Sequence, residues 1–212
     1  MVEQKIPYAA SLSIDYPDRK LNRLTSFFRI FAAIPILIVI ALVVGIIFQN
    51  EEARKAGFHL EITTGSLVIL PTLLMILFRQ KYPRWWFDWN LAFSRFNARI
   101  SAYLALMRDE YPSTDEEQAV HLDLVYPDVK ANLNRWLPLV KWFLAVPHYI
   151  VLVFLSIASV FSIIVAWFAI LFTGRYPKDL FEFVLGVERW SLRVEAYAFF
   201  MLTDKYPPFT LN

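Results

Sequence analysis

The 212-residue chain contains no cysteine, only three histidines and only 19% charged residues. The absence of cysteine excludes disulfides, thiolate nucleophiles, iron–sulfur clusters and thiolate-bound zinc. The net charge of +2 argues against a polycation that binds nucleic acid. The sequence has no Gly-rich phosphate loop, nucleophile elbow, zinc motif or haem-attachment motif. We therefore predict no catalytic residues, no cofactor and no bound metal.

Apolar residues are abundant, at 58% of the chain with 17% aromatic, whereas soluble domains average roughly 45–50% apolar. Uncharged runs cover residues 30–48, 62–78 and, with one histidine, 142–174. The third run is too long for one crossing, since a single helix would extend roughly 50 Å. We therefore predict an all-α integral membrane protein with four transmembrane helices, the last two reversing among Ser156, Ser159 and Ser162. A hairpin that enters the bilayer and returns without reaching the far side is the alternative.

Lysine and arginine set the predicted orientation. Four precede Arg29, eight lie in 79–135 and five follow the third run. Both chain termini are therefore expected on the cytoplasmic side of a multi-pass membrane protein. Arg29 and Lys141, just inside the first and third predicted spans, are expected to extend to the headgroups. Interfacial anchors are predicted at six tryptophans: Trp85, Trp86, Trp89, Trp136, Trp142 and Trp190.

The two halves of the chain resemble each other. Residues 81–107 and 175–201 share nine identities in 27 aligned positions. We predict two tandem repeats, 1–115 and 116–212, each with a strand, two membrane helices and an amphipathic interfacial helix. The strands, at 11–16 and 121–126, are expected to pair with each other or with 208–212 in a small cytoplasmic β element.

The second half carries a longer pattern, AILFTGRYPKDLFEFVLGVERWSLRVEAYAFFMLTDKYPPFTL at 169–211, with AVPH at 145–148. This pattern resembles the bacterial membrane family catalogued as domain of unknown function 4389. The first copy departs from it, with Trp85, Trp86 and Trp89 in place of Asp179, Leu180 and Phe183. The resemblance implies an integral protein of the bacterial inner (cytoplasmic) membrane and supplies no activity.

Six charged residues share a narrow stripe on the two amphipathic helices, at 100° per residue. They are Asp88, Arg95 and Arg99 in the first half, and Glu182, Arg189 and Arg193 in the second. One interpretation is an ion-pair network. Because arginines exceed carboxylates, a site for lipid headgroups and a path for a substrate anion are the alternatives. The face with Glu188, Ser191 and Glu195, and with Ser94 and Ser101 in the first copy, is predicted to be solvated.

His148 lies within an apolar run, where a polar residue either packs between helices or serves function. His59 and His121 are expected in water. Together these features predict a non-catalytic accessory or scaffold subunit that packs in or beside a larger membrane complex, or with itself. The alternative is a protein that binds or transports lipid or a small anion through the arginine stripe. Expected partners are membrane lipids, including anionic phospholipid, and other membrane proteins, and no nucleic acid.

Overall fold

The computed structural model describes residues 8–44 and 64–212. A five-residue π-helical segment, Met75–Arg79, directly follows the third helix. In chain order the strands and helices are β1 Ala10–Ile14, α1 Arg23–Phe27, α2 Arg29–Val44, α3 Thr64–Leu74, α4 Arg84–Leu104, β2 Val120–Leu124, α5 Val129–Asn132, α6 Pro138–Leu144, α7 Val146–Thr173 and α8 Lys178–Ala198.

Local chemistry explains several helix boundaries. The side chain of Asn22 accepts hydrogen bonds from two backbone N–H groups at the start of α1. Pro83 and Pro177 directly precede α4 and α8, where a missing N–H is tolerated. Gly174 ends α7 in the left-handed conformation, with φ at 74°, which favours glycine.

The two strands form an antiparallel sheet in which Leu12 faces Leu122. Alternate residues of each strand are buried, and the residues between them are exposed. The predicted strands are therefore confirmed, with their ends shifted by one or two residues. The two strands pair with each other, which is one of the two predicted pairings. The alternation places one face of the sheet on the core and the other in water.

Two long amphipathic helices cover the buried face of the sheet. α8 packs on β1, and α4 packs on β2. The main core lies in this layer and includes the nearly inaccessible Tyr82, Tyr176 and Phe181. α8, in the predicted second repeat, therefore packs on the strand of the first repeat, and α4, in the first repeat, packs on the strand of the second.

A third layer is formed by the apolar helices. α7 and α8 are joined by residues 174–177, and the start of α7 meets the end of α8, where the rings of Tyr149 and Phe199 stack at 6.1 Å. The two helices therefore run antiparallel, side by side. On the other half, Ala33 and Ile36 of α2 pack against α4. The outer faces of α2 and α7 remain uncovered and apolar.

The prediction of an all-α protein with four transmembrane helices is wrong. α7 is one continuous helix of 28 residues, about 42 Å long, and it does not reverse at its serines. Ser162 donates to the Ala158 carbonyl one turn earlier, which satisfies its hydroxyl without breaking the helix. In the described part of the chain, α7 alone has the length and composition to cross a membrane, and 29–41 and 69–79 are apolar but shorter.

One such helix points to association of the protein with a membrane. The predicted ends of the first two apolar runs, at 45–48 and 62–63, lie outside the described residues. The described parts of α2 and α3 are shorter than a membrane-spanning helix.

Candidate functional site

Two arginines of the predicted stripe bind the sheet. Arg95 donates from Nε to the Leu122 carbonyl at 2.8 Å, and Arg189 donates from Nε to the Leu12 carbonyl at 2.9 Å. The two acceptors are register partners in the sheet. These arginines therefore hold α4 and α8 on the two strands at the same level.

The other two arginines of the stripe bind the segments that follow their helices. Arg99 donates to the Ser113 carbonyl at 2.7 Å. Arg193 donates to the carbonyls of Asn212, at 2.6 Å, and of Thr210. Both arginines are buried, and backbone carbonyls accept from their Nη atoms, while the Nε of each has no partner among the described residues.

The carboxylates predicted to share this stripe lie elsewhere. Asp88 pairs with Arg84 at 3.4 Å on the exposed surface, and Arg95 pairs with Asp123 at 2.5 Å. Glu182 is exposed, and it makes no ion pair within residues 8–44 and 64–212. The structure therefore brings the arginines to carbonyl oxygens and does not bring Asp88 and Glu182 to them. Periodicity placed the six residues on one stripe but gave no information about the strands and terminal segments packed against it.

Arg29 was expected to extend to the headgroups, but it is almost completely buried. Its Nη2 lies 2.6 Å from the Asp109 carboxylate, and its guanidinium stacks 4.2 Å from the centre of the Tyr103 ring. An opposite charge and an aromatic face offset the cost of removing the cation from water.

Lys141 occupies the corresponding place in the second half and is fully buried. Its Nζ lies 2.7 Å from the Asp204 carboxylate and 2.8 Å from the Thr203 carbonyl, with the Tyr197 ring at 5.3 Å. Burial lowers the pKa of Lys141, against the opposing effect of Asp204.

The burial of Arg29 and Lys141 was not predicted from the sequence. The available signal was the pattern Asp-x-Tyr-Pro, which occurs at 109–112 and again at 204–207.

His148 is a packing residue in the second half. It is fully buried, its Nδ1 accepts a hydrogen bond from Trp190 Nε1 at 3.0 Å, and the Phe209 ring stacks on it at 4.0 Å. An imidazole that accepts at Nδ1 carries its proton on Nε2. The prediction that Trp190 is an interfacial anchor is wrong, because its indole is buried and bonded to this histidine.

The other predicted anchors lie nearer the surface. Trp86 is partly buried and donates to the Thr72 hydroxyl at 2.9 Å. His121 is exposed, as expected, with its Nε2 3.3 Å from an Asp15 oxygen, and His59 lies outside the described residues. The exposed tryptophans are Trp85, Trp89, Trp136 and Trp142.

A cleft of about 310 Å³ separates α4 from α8. The faces predicted to be solvated meet across it. Its apolar wall includes residues of both strands, both helices and the segment after α8. Its polar lining consists of Ser94, Asn97, Ser101, Glu188, Ser191 and Glu195.

Glu195 is exposed at this cleft, and Glu188 is partly buried there. Desolvation of the Glu195 carboxyl by the surrounding protein, together with the charge of Glu188, raises the pKa of Glu195 to about 7, against a lowering by the Ser191 hydroxyl. Burial also raises the pKa of Glu188. The exposure of Glu195 agrees with the predicted solvated face, whereas Ser94 on the facing helix is buried.

A second, larger concavity of about 590 Å³ lies where α3 and its π-helical continuation meet the start of α4. Trp85 and Trp86 form part of an apolar wall. Three basic residues stand at its edge: Arg79, Lys81 and Arg84. This arrangement combines an apolar surface with cationic groups at one rim.

Within the described ranges there is no group of three or more acidic or histidine side chains that could hold a metal ion.

Residues 136–210 match the family model described as Domain of unknown function (DUF4389), which confirms the resemblance for the second half. The predicted first copy lies outside this match, so the tandem repeats and their boundary after residue 115 stay predictions. No curated protein and no solved structure matches the chain.

Proposed function

We propose that this protein is a non-catalytic accessory protein of the bacterial cytoplasmic membrane, with α2 and α7 lying lengthwise in one leaflet. The observation that carries the proposal is the layered arrangement. Each apolar helix packs one side on an amphipathic helix and leaves its opposite side uncovered, and the polar face of the sheet is at the far side of the molecule. A helix with an uncovered apolar side and a polar body behind it suits the membrane interface.

The pairing of α7 with α8 disfavours a helix that crosses the bilayer. Because the two helices run side by side, a crossing α7 would take α8 with it, including Glu188, Arg189 and Arg193. A charged residue at the centre of a bilayer costs about 2.5–3.5 kcal/mol even on the most lenient scales. Helices that stay in one leaflet also leave both chain termini on one side, as the charge distribution predicts.

Vesicle flotation tests the membrane face. Phe161, on the outer side of α7, is 65% exposed, and burial of a phenylalanine contributes about 1.5–3 kcal/mol. Phe161→Glu should therefore lower the partition coefficient of the protein between vesicles and water at least about tenfold. Ser13→Glu, on the exposed face of the sheet, is the control and should float like the parent. Equal flotation of both variants would show that α7 does not face lipid.

The accessory role has its own test, because an uncovered apolar face can also contact other membrane proteins. Purification in a mild detergent should recover the chain with other subunits in fixed stoichiometry, or as a defined oligomer. Recovery as a single chain with only bound phospholipid would favour a lipid-binding protein.

The concavity beside Trp85 and Trp86 favours a second candidate function, the binding of anionic phospholipid. Its aromatic wall suits an acyl chain, and the basic residues at its rim suit a phosphate. This location differs from the arginine stripe, whose four side chains are already bound to carbonyls.

The two halves of the chain supply a matched control for this candidate. Lys81→Gln/Arg84→Gln should weaken binding to anionic vesicles about tenfold or more, at about 1 kcal/mol per basic residue. Arg175→Gln/Lys178→Gln removes the same charge from the aligned positions, which lack the tryptophans. Equal effects of the two double variants would indicate general attraction to the surface and no site.

A further inference from the structure

The cleft between α4 and α8 contains two carboxyls and no basic side chain. Glu188 and Glu195 lie seven residues apart on α8, so both point from one face of the helix. The remaining polar groups of the lining are three serine hydroxyls and one asparagine amide. Nothing in the lining neutralises these carboxyls when they are ionised.

Ser94 provides an independent observation. Its side chain is on α4, across the cleft from α8, and only 7% of the residue is exposed. Its hydroxyl makes no hydrogen bond with any described residue and lies in the lining of the cleft. Its donor and its acceptor are therefore available to a molecule that binds there.

The nearest basic residues of the surrounding elements are directed elsewhere. Arg95 and Arg189 follow Ser94 and Glu188 in the chain, and both donate to the strand carbonyls. The strands and the segment after α8 contribute only apolar residues to the lining: Leu12, Leu122 and Phe200. The titratable groups that face the cleft are therefore Glu188 and Glu195.

We propose that this cleft binds a small organic cation with a primary ammonium group, which lies between Glu188 and Glu195 and donates to the serine hydroxyls. An ammonium has three donors and no acceptor, which matches a lining of carboxylates and hydroxyls. The apolar wall contacts the alkyl part of the cation. The volume of about 310 Å³ lies at the lower end of sites for small molecules.

An organic cation suits the lining better than a metal ion. Calcium takes six to eight oxygen ligands and magnesium demands a regular octahedron, but two carboxyls on one helix are the only acidic groups at the cleft. The ammonium can belong to a soluble amine or to the headgroup of an aminophospholipid. The experiment separates these two sources.

Calorimetric titration of the full-length protein at pH 8 with 1,4-diaminobutane tests the soluble source. Vesicles of phosphatidylethanolamine, compared with vesicles of phosphatidylcholine, test the headgroup source. Saturable binding of either ammonium compound supports the proposal and identifies the source. No binding of either, or binding of magnesium alone, overturns it.

Variants locate the binding. Glu188→Gln/Glu195→Gln should lower the affinity at least tenfold, and Glu182→Gln, on the same helix outside the cleft, should leave it unchanged. Because Glu195 has a pKa of about 7, binding should be about tenfold weaker at pH 6 than at pH 8. Ser94→Ala provides a second variant that keeps the charge and should weaken binding a few-fold. Full affinity in the double variant overturns the proposal.

Discussion

Arg189 donates from its Nε to the carbonyl oxygen of Leu12 across 2.9 Å, and so joins the C-terminal amphipathic helix to the N-terminal strand. Arg95 makes the same contact with Leu122, the residue that faces Leu12 in the sheet. The two long helices are therefore bound to one level of a two-stranded sheet. An isolated pair of strands of this size is marginal in water, so the helices and strands stabilise each other.

Arg189→Met should lower the free energy of unfolding by about 1.5–3 kcal/mol, the usual contribution of a hydrogen bond to a charged group. The carbonyl of Leu12 keeps no replacement donor, and β1 loses its attachment to α8. Chemical denaturation in detergent measures the change. Arg175→Met, which removes an exposed arginine, should be neutral. Equal stability of the two variants would mean that the contact contributes nothing measurable.

The buried pair of Lys141 and Asp204 predicts an asymmetric response to substitution. Asp204→Asn leaves a buried ammonium without its counter-ion and should cost about 3–5 kcal/mol. Lys141→Met should cost less, because Asp204 is partly accessible and can be hydrated. The double variant should be more stable than Asp204→Asn alone. Thermal unfolding of the three proteins gives the order, and a double variant no better than Asp204→Asn would contradict it.

Trp190 is buried in the structure, whereas the sequence predicted that it lies at the membrane interface. Trp190→Phe removes the donor to His148 and should lower the free energy of unfolding by about 1–2 kcal/mol. Trp136 is 64% exposed, so Trp136→Phe should have little effect on stability. Acrylamide should quench the fluorescence of Trp136 and leave that of Trp190 almost unchanged. Strong quenching of Trp190 would place it on the surface.

Several features of the fold could be predicted from sequence because they depend on short-range patterns. Alternation of polar and apolar residues gave both strands, and helical periodicity put Arg95 and Arg189 on one stripe. Their partners are the backbone carbonyls of Leu122 and Leu12, and an apolar residue gives no sign in the sequence that its carbonyl accepts a hydrogen bond from an arginine. Every residue has a backbone carbonyl, whereas carboxylates belong to particular residue types. The sequence therefore favoured an ion-pair network over hydrogen bonds to carbonyls.

The helix count was wrong for a related reason. A hydropathy run reports how long an apolar segment is, but it does not report which neighbour covers one side of it. The assumed reversal at Ser156, Ser159 and Ser162 required a break that serine does not impose, since its hydroxyl can bond back within the helix. The burial of Arg29 and Lys141 was missed because their carboxylate partners lie more than 60 residues further along the chain.

The titration of the cleft predicts how stability depends on pH. Desolvation raises the pKa of Glu195 from 4.5 to about 7 and shifts that of Glu188 in the same direction. Between these values the two carboxyls bind more protons in the folded protein than in the unfolded chain, so their contribution to the free energy of unfolding should fall as pH rises from about 4.5 to about 7. His148 contributes with the opposite sign below pH 6.5, because burial lowers its pKa. Glu195→Gln should flatten this slope, and Glu182→Gln should preserve it. Thermal unfolding across this range measures both, and an unchanged slope in Glu195→Gln would show that the cleft does not titrate.

The position of α7 in the membrane is the central claim, and the absence of cysteine from the chain makes it directly measurable. Single cysteines carrying nitroxide labels can replace four exposed residues along its outer face: Val153, Ile157, Ile164 and Phe168. Electron paramagnetic resonance in vesicles then gives the depth of each label. A helix lying in one leaflet predicts four similar depths, all within about 15 Å of one surface. Depths that increase to the midplane and then decrease toward the opposite surface would contradict the account.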